Sequence, residues 1–190
     1  MSTHAAVQEA HGHGGVPRIR INRFGLWLFF ISDALLFGIF GMARFYVAGT
    51  HTPESVSQLL GVTITSILLL SSFAAYRAET AILHGNIRHG RQMLLVTAVL
   101  GMVFLGGVIV EWSIAKEGPQ DAYGTALYSM TGMHATHVAS GIIFLLFGFV
   151  LAGRGRYNNG NTWGSTAIVM YWHFVDIVWV FFYPLLYLIK

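Results

Sequence analysis

The chain closes with YWHFVDIVWVFFYPLLYLIK, residues 171–190. A helix needs about 20 mostly apolar residues to cross the hydrocarbon core of a bilayer. This stretch is long enough, and its composition suits no water-facing surface. It also carries His173 and Asp176 in its middle. An acid at the centre of a membrane helix costs about 2.5–3.5 kcal/mol on insertion scales, so it needs a partner or a function. The two residues are three apart, and on a helix they can pair with each other or each reach a neighbouring helix.

Working outward, four more apolar runs have the same character. The five helices are expected at about 24–47, 55–77, 92–113, 122–153 and 163–189, within one domain covering residues 23–190. Of the 190 residues, 55% are hydrophobic and 10% are charged. Soluble domains carry about 25% charged residues, so the chain lacks the polar material for an aqueous surface. The expected class is an all-α integral membrane bundle of five transmembrane helices. Residues 1–22 read as a flexible polar tail. No apolar run precedes a cleavage site there, so a signal peptide is not expected. His4, His11 and His13 in that tail are a weak metal-binding signal.

The basic residues sort by side. Arg18, Arg20, Arg23, Arg77, Arg88, Arg91, Arg154 and Arg156 fall on one side, and Arg44, Lys116 and Lys190 on the other. Basic loops stay cytoplasmic, which predicts a cytoplasmic N-terminus and a C-terminus outside. The small net charge of +3 needs no nucleic-acid partner. With no cysteine, the chain can form no disulfide, thiolate zinc site, iron–sulfur cluster or covalently attached c-type haem.

The ionisable residues within the spans are the candidates for chemistry. Asp33, near the middle of the first span, is either a proton-exchanging carboxyl or a polar anchor bonded to a neighbouring helix. His134 and His137, three apart on the fourth span, can point into a bundle. They become metal ligands only if His173, Asp33 or Asp176 joins them, and otherwise serve as interhelical hydrogen-bonding groups. There is no Glu-x-x-His motif of the di-iron bundles. Glu111, beside Trp112, is expected at a solvated membrane interface. Near His173 and Asp176 no Ser or Cys sits in a nucleophile motif, which argues against hydrolysis. The site reading is therefore a polar, proton-linked network of Asp33, Glu111, His134, His137, His173 and Asp176, with no catalytic, cofactor-binding or metal residues assigned.

The order of motifs resembles subunit III of the haem–copper terminal oxidases, the cytochrome c oxidase subunit III family in its five-helix bacterial form. Residues 171–179, YWHFVDIVW, match the most recognisable block of that family. Tyr123-Gly124-Thr125 followed by residues 131–138, TGMHATHV, and Gly141 is similar to its YGS…TGFHGLHV block. Glu111-Trp112 is similar to its glutamate–aromatic pair, and Asp33 falls where the family has a membrane glutamate. The resemblance covers roughly residues 23–189. Mitochondrial relatives have two further helices at the start, so the five-helix form implies a bacterial protein of the cytoplasmic (inner) membrane.

The resemblance implies a non-catalytic subunit of a proton-pumping cytochrome c oxidase, an oxidoreductase and translocase complex of the aerobic respiratory chain. It implies that subunits I and II are the partners, that haem and copper reside in those partners, and that this chain holds no redox centre. It further implies support for stability and proton uptake, contact with membrane lipids, bound phospholipid, and membership of a larger supercomplex as an open matter. A quinol oxidase subunit or a nitric-oxide-reductase-associated protein of the same family stands as the alternative. A stand-alone proton carrier built on Asp33, His173 and Asp176 is the alternative from another class. The lack of an inverted repeat and of broken helices speaks against that one.

Overall fold

The computed structural model describes residues 18–50, 53, 57–157 and 162–189. Five α-helices account for nearly all of them: α1 (Arg18–Ala48), α2 (Gln58–Leu83), α3 (Ile87–Ile114), α4 (Ala122–Gly153) and α5 (Trp163–Tyr183), followed by a π turn, Pro184–Leu188. Each of the five is long and apolar enough to cross a membrane. Among the described residues there is no β-strand.

The helices run past the apolar boundaries read from the sequence. α1 begins at Arg18, inside the expected tail, and α2 continues to Leu83 through Arg77 and Glu79. α3 starts at Ile87 and takes in Arg88 and Arg91. Hydropathy marks the part of a helix that suits hydrocarbon, whereas backbone hydrogen bonds can continue beyond it into the polar zone. His4, His11, His13 and Lys190 lie outside the described residues.

Local chemistry ends the helices. Gly49, Gly85 and Gly155 follow α1, α2 and α4 with φ of 62°, 80° and 71°, a left-handed conformation that glycine adopts without a steric penalty. After α2, Asn86 N donates to Ala81 O at 2.8 Å, and after α4, Arg156 N donates to Leu151 O at 3.1 Å, closing each helix C-terminus. At the other ends, Ser57 Oγ accepts from Leu60 N and Asn86 Oδ1 accepts from His89 N, satisfying amides that α2 and α3 would leave bare.

The fifth helix departs most from its sequence reading. Its α-helical part stops at Tyr183, because Pro184 has no amide hydrogen to continue the ladder. The chain then widens into the π turn, closed by Ile189 N donating to Pro184 O at 3.1 Å. Side chains from three other helices hold this turn by its carbonyls. Arg44 Nε donates to Leu185 O at 2.7 Å, Tyr123 OH to Leu186 O at 2.8 Å and Gln58 Nε2 to Tyr187 O at 3.4 Å.

α5 is the most buried of the five helices and packs against α1, α2 and α4. In its most apolar window 44% of residues are buried, against 17% for α1, which lies along the outside. Trp172 and Trp179 anchor α5 to α2. Trp172 Nε1 donates to Ser71 Oγ at 3.0 Å, and Trp179 Nε1 to Thr65 Oγ1 at 2.9 Å. The Trp172 ring passes between α3 and α4 where Gly101 and Gly141 leave room. A Cβ at those positions would sit 2.5 Å and 2.9 Å from it. Small residues thus let a large ring enter the helix interface, where packing drives association in lipid. α1 contributes a narrow buried stripe of Phe30, Phe37, Gly41 and Arg44. Within it, Phe30 stacks on Phe174 with ring centroids 4.9 Å apart.

Candidate functional site

The titratable residues separate into three stations along the bundle. The first joins α1 to α4. Asp33 Oδ2 lies 3.3 Å from His137 Nε2, with side chains 14% and 17% exposed. His137 Nδ1 is 2.9 Å from Met133 O. A carbonyl only accepts, so Nδ1 carries a hydrogen and Nε2 is the nitrogen left for Asp33. One proton then suffices for the pair, on the imidazole or on the carboxyl, and either arrangement is net neutral. The contact meets the distance for an ion pair but not the alignment of a hydrogen bond. Beside it, a shallow cavity of about 320 Å³ opens between Phe29, Thr136, His137, Ser140, Phe144 and Tyr171. Tyr171 OH lies 2.7 Å from Ser140 Oγ and 3.3 Å from His137 O, tying α5 to α4 at this level.

His134 does not join its neighbour. It is fully buried, and neither ring nitrogen has a hydrogen-bond partner. Instead the imidazole lies 4.9 Å from the Trp179 ring and 5.8 Å from that of Phe104, with Phe37 at its edge. In that apolar cage the uncharged ring is the form the surroundings can hold. The two histidines of α4 therefore point to different surroundings. Among the described residues no three His, Cys, Asp or Glu side chains converge as metal ligands would.

The second station joins α5 to α2. His173 and Asp176 do not bond to each other; both turn toward Ser72. The Ser72 hydroxyl lies 2.7 Å from His173 Nδ1. Asp176 also sits against Ser72, but neither carboxylate oxygen finds an aligned donor. Asp176 is only 3% exposed. Glu79, further along α2, adds its charge near His173. Ser72 was not singled out from the sequence. The Ser71-Ser72 pair in a strongly apolar helix was the available signal, since the first serine receives Trp172 and the second His173.

The third station lies at the end of the bundle that carries the α3–α4 connection. Glu111, expected at a solvated interface, is instead buried at 6% exposure. The π turn covers it, and Tyr187 OH donates to its Oε1. Arg44 was assigned by sequence to a loop side, yet it is 1% exposed. Its guanidinium donates to Leu185 O and Gly49 O and lies 5.8 Å from the Tyr123 ring. Charge at the end of a span marks which side a helix end faces. It does not say whether a neighbouring segment folds over that charge.

Fold and stations together define a multi-pass α-helical membrane protein whose titratable side chains sit in separate helix-to-helix contacts rather than in one convergent centre. The profile of the family described as cytochrome c oxidase subunit III matches residues 3–190. The chain is 35% identical to cytochrome c oxidase subunit 3 of Thermostichus vulcanus over 195 aligned positions, covering 98% of this chain and 94% of the relative. It is 32% identical to the protein of the same name from a Synechocystis species, covering 95% and 80%, and 32% identical to that of Neotragus moschatus, covering 87% and 68%. The chain belongs to the cytochrome c oxidase subunit III family.

Proposed function

We propose that this chain is a non-catalytic membrane subunit of a proton-pumping haem–copper cytochrome c oxidase in a bacterial inner membrane. It packs beside subunits I and II, which hold the haems and copper. The observation that carries this reading is the family match along almost the whole chain, with relatives that share the cytochrome c oxidase name. Those relatives do not favour a quinol oxidase, a nitric-oxide-reductase-associated protein or a stand-alone carrier.

The geometry supports a role in assembly and in handling protons at the membrane interior. A carboxyl and an imidazole holding one proton between them at mid-span can pass it from one to the other without placing a net charge in lipid. Asp33 and His137 have that arrangement. The proposed orientation places the N-terminus inside. Arg23 lies over Trp163, and Arg91 over Phe149, at the end that would face the cytoplasm. An apolar groove of about 390 Å³ between α1 and α5, with Phe37, Met42, Phe174 and Phe181 in its wall, suits the acyl chain of a bound phospholipid.

Purification of the tagged chain in mild detergent tests the reading. It is supported by co-isolation of haem-bearing subunits with oxidase activity. A colourless protein that conducts protons by itself in liposomes would overturn it. In the assembled complex, Asp33→Asn is expected to slow proton uptake or shorten turnover lifetime; unchanged rate, pumping and lifetime would leave Asp33 only a structural role.

A further inference from the structure

We propose that Glu111 and Tyr187 form a one-water, proton-exchanging site at the end of the bundle that carries the α3–α4 connection, separate from the Asp33–His137 pair. The two oxygens of Glu111 have different surroundings. Oε1 accepts the Tyr187 hydroxyl, while Oε2 is buried and has no hydrogen-bond partner. Beside the carboxyl lies a small cavity walled by Ser57, Leu60, Glu111, Ala115, Glu117 and Leu127, with about 20 Å³ of room for the centre of a water molecule. A water needs about 10–15 Å³ by that measure and between two and four polar partners. The cavity therefore takes one water and little more. Glu111, Ser57 and Glu117 are the polar residues its wall supplies.

An orphaned oxygen on a buried carboxylate is costly. Either a proton on Oε2 or a water donating to it removes that cost, and a water in this cavity permits both in turn. The Glu111 O–H bond breaks as its proton passes to the water oxygen, and the resulting hydronium hands a proton to solvent. The carboxylate left behind keeps the Tyr187 hydrogen bond. The reverse step restores the acid, and no electrons move. The path to solvent is short, because Ser57 is exposed and Glu117 half-buried. Ser57 Oγ accepts from Leu60 N and has its own hydrogen to give.

The charged and titratable groups around this site come from α1, α4, α5, the π turn and the α3–α4 connection, with Tyr183 of α5 stacked on the Tyr187 ring. Tyr187 comes from the π turn, and Tyr123 from α4 lies within electrostatic reach of Glu111, Glu117 and Arg44. Arg44 from α1 lies over the Tyr123 ring, and Glu117 comes from the α3–α4 connection. The arrangement gives Glu111 a hydrogen-bond donor on the protein side and a water-sized cavity on the other, as a proton store exchanging with one aqueous phase requires.

Infrared spectroscopy of the purified complex containing the full chain tests this. The expected result is a carboxylic-acid carbonyl band that shifts promptly on exchange into deuterated water and falls reversibly as pH rises. That band is expected to vanish in Glu111→Gln, to move to higher frequency in Tyr187→Phe, and to exchange several-fold more slowly in Glu117→Gln. A band that survives Glu111→Gln, that resists deuteration for hours, or that never forms because Glu111 stays ionised would overturn the proposal. Should Glu111→Gln not incorporate into the complex, the other two variants decide: a band indifferent to both overturns it.

Discussion

Replacing His137 with Gln while Asp33 stays in place asks whether the mid-membrane pair behaves as two fixed charges or as one shared proton. Breaking a buried ion pair by removing one partner is expected to destabilise by about 3–5 kcal/mol, because an uncompensated charge remains. A carboxyl can instead take a proton. The loss then shrinks to one polar contact between membrane helices, about 0.6 kcal/mol on average and about 1.7 at most. The geometry selects the smaller figure. The 3.3 Å contact between Asp33 and His137 is not aligned as a hydrogen bond, so little is lost with it once the remaining carboxyl protonates. The expected coupling between Asp33→Asn and His137→Gln in a double-mutant cycle is therefore about 0.6 kcal/mol, under threefold in an equilibrium constant. Reversible unfolding of the purified subunit in mixed micelles, with all four members of the cycle compared, measures it. A coupling above about 3 kcal/mol would show a true buried charge pair and refute the shared-proton argument. No measurable coupling would show that the two groups do not interact.

Three further outcomes follow from the packing and the polar contacts. Gly101→Ala puts a methyl group 2.5 Å from the Trp172 ring and is expected to destabilise by about 1–3 kcal/mol. Adding Trp172→Phe should recover part of the loss in the same unfolding assay, and no recovery would place the strain elsewhere. Arg44→Met removes the donors to Leu185 O and Gly49 O. Faster amide hydrogen exchange is expected at residues 185–189 with α2 and α3 unaffected, and unchanged exchange there would mean that Tyr123 and Gln58 hold the π turn unaided. Ser72→Ala takes from His173 its hydroxyl partner and from Asp176 the polar group beside it, so the subunit should be retained less well in the complex, by about 0.6–1.7 kcal/mol. Equal retention, read by subunit stoichiometry after detergent washing, would contradict it.

The sequence by itself determined the number of spans, the all-helical class and the family. Each is local information. An apolar run about 20 residues long declares a span wherever it sits, glycines punctuate three of the helix ends, and YWHFVDIVW is read without knowing what it touches. Only the tertiary structure decided the partners. His173 and Asp176 left open a pair along one helix or partners on a neighbouring one, and both face Ser72 of α2. His134 and His137 could both point into the bundle, and one lies among aromatic rings and the other beside Asp33. Glu111 and Arg44 looked like solvated end charges, and the π turn, which Pro184 initiates, buries Glu111 and ties down Arg44. In water, a helix face announces itself by apolar periodicity, because the opposite face must be polar. In lipid both faces are apolar: on α2, Ile64 and Leu68 are buried while Leu69, Leu70 and Phe73 are exposed. The rotation of each helix about its axis, and so the partner of each rare polar side chain, is therefore set by packing between helices and is absent from the pattern of any one of them.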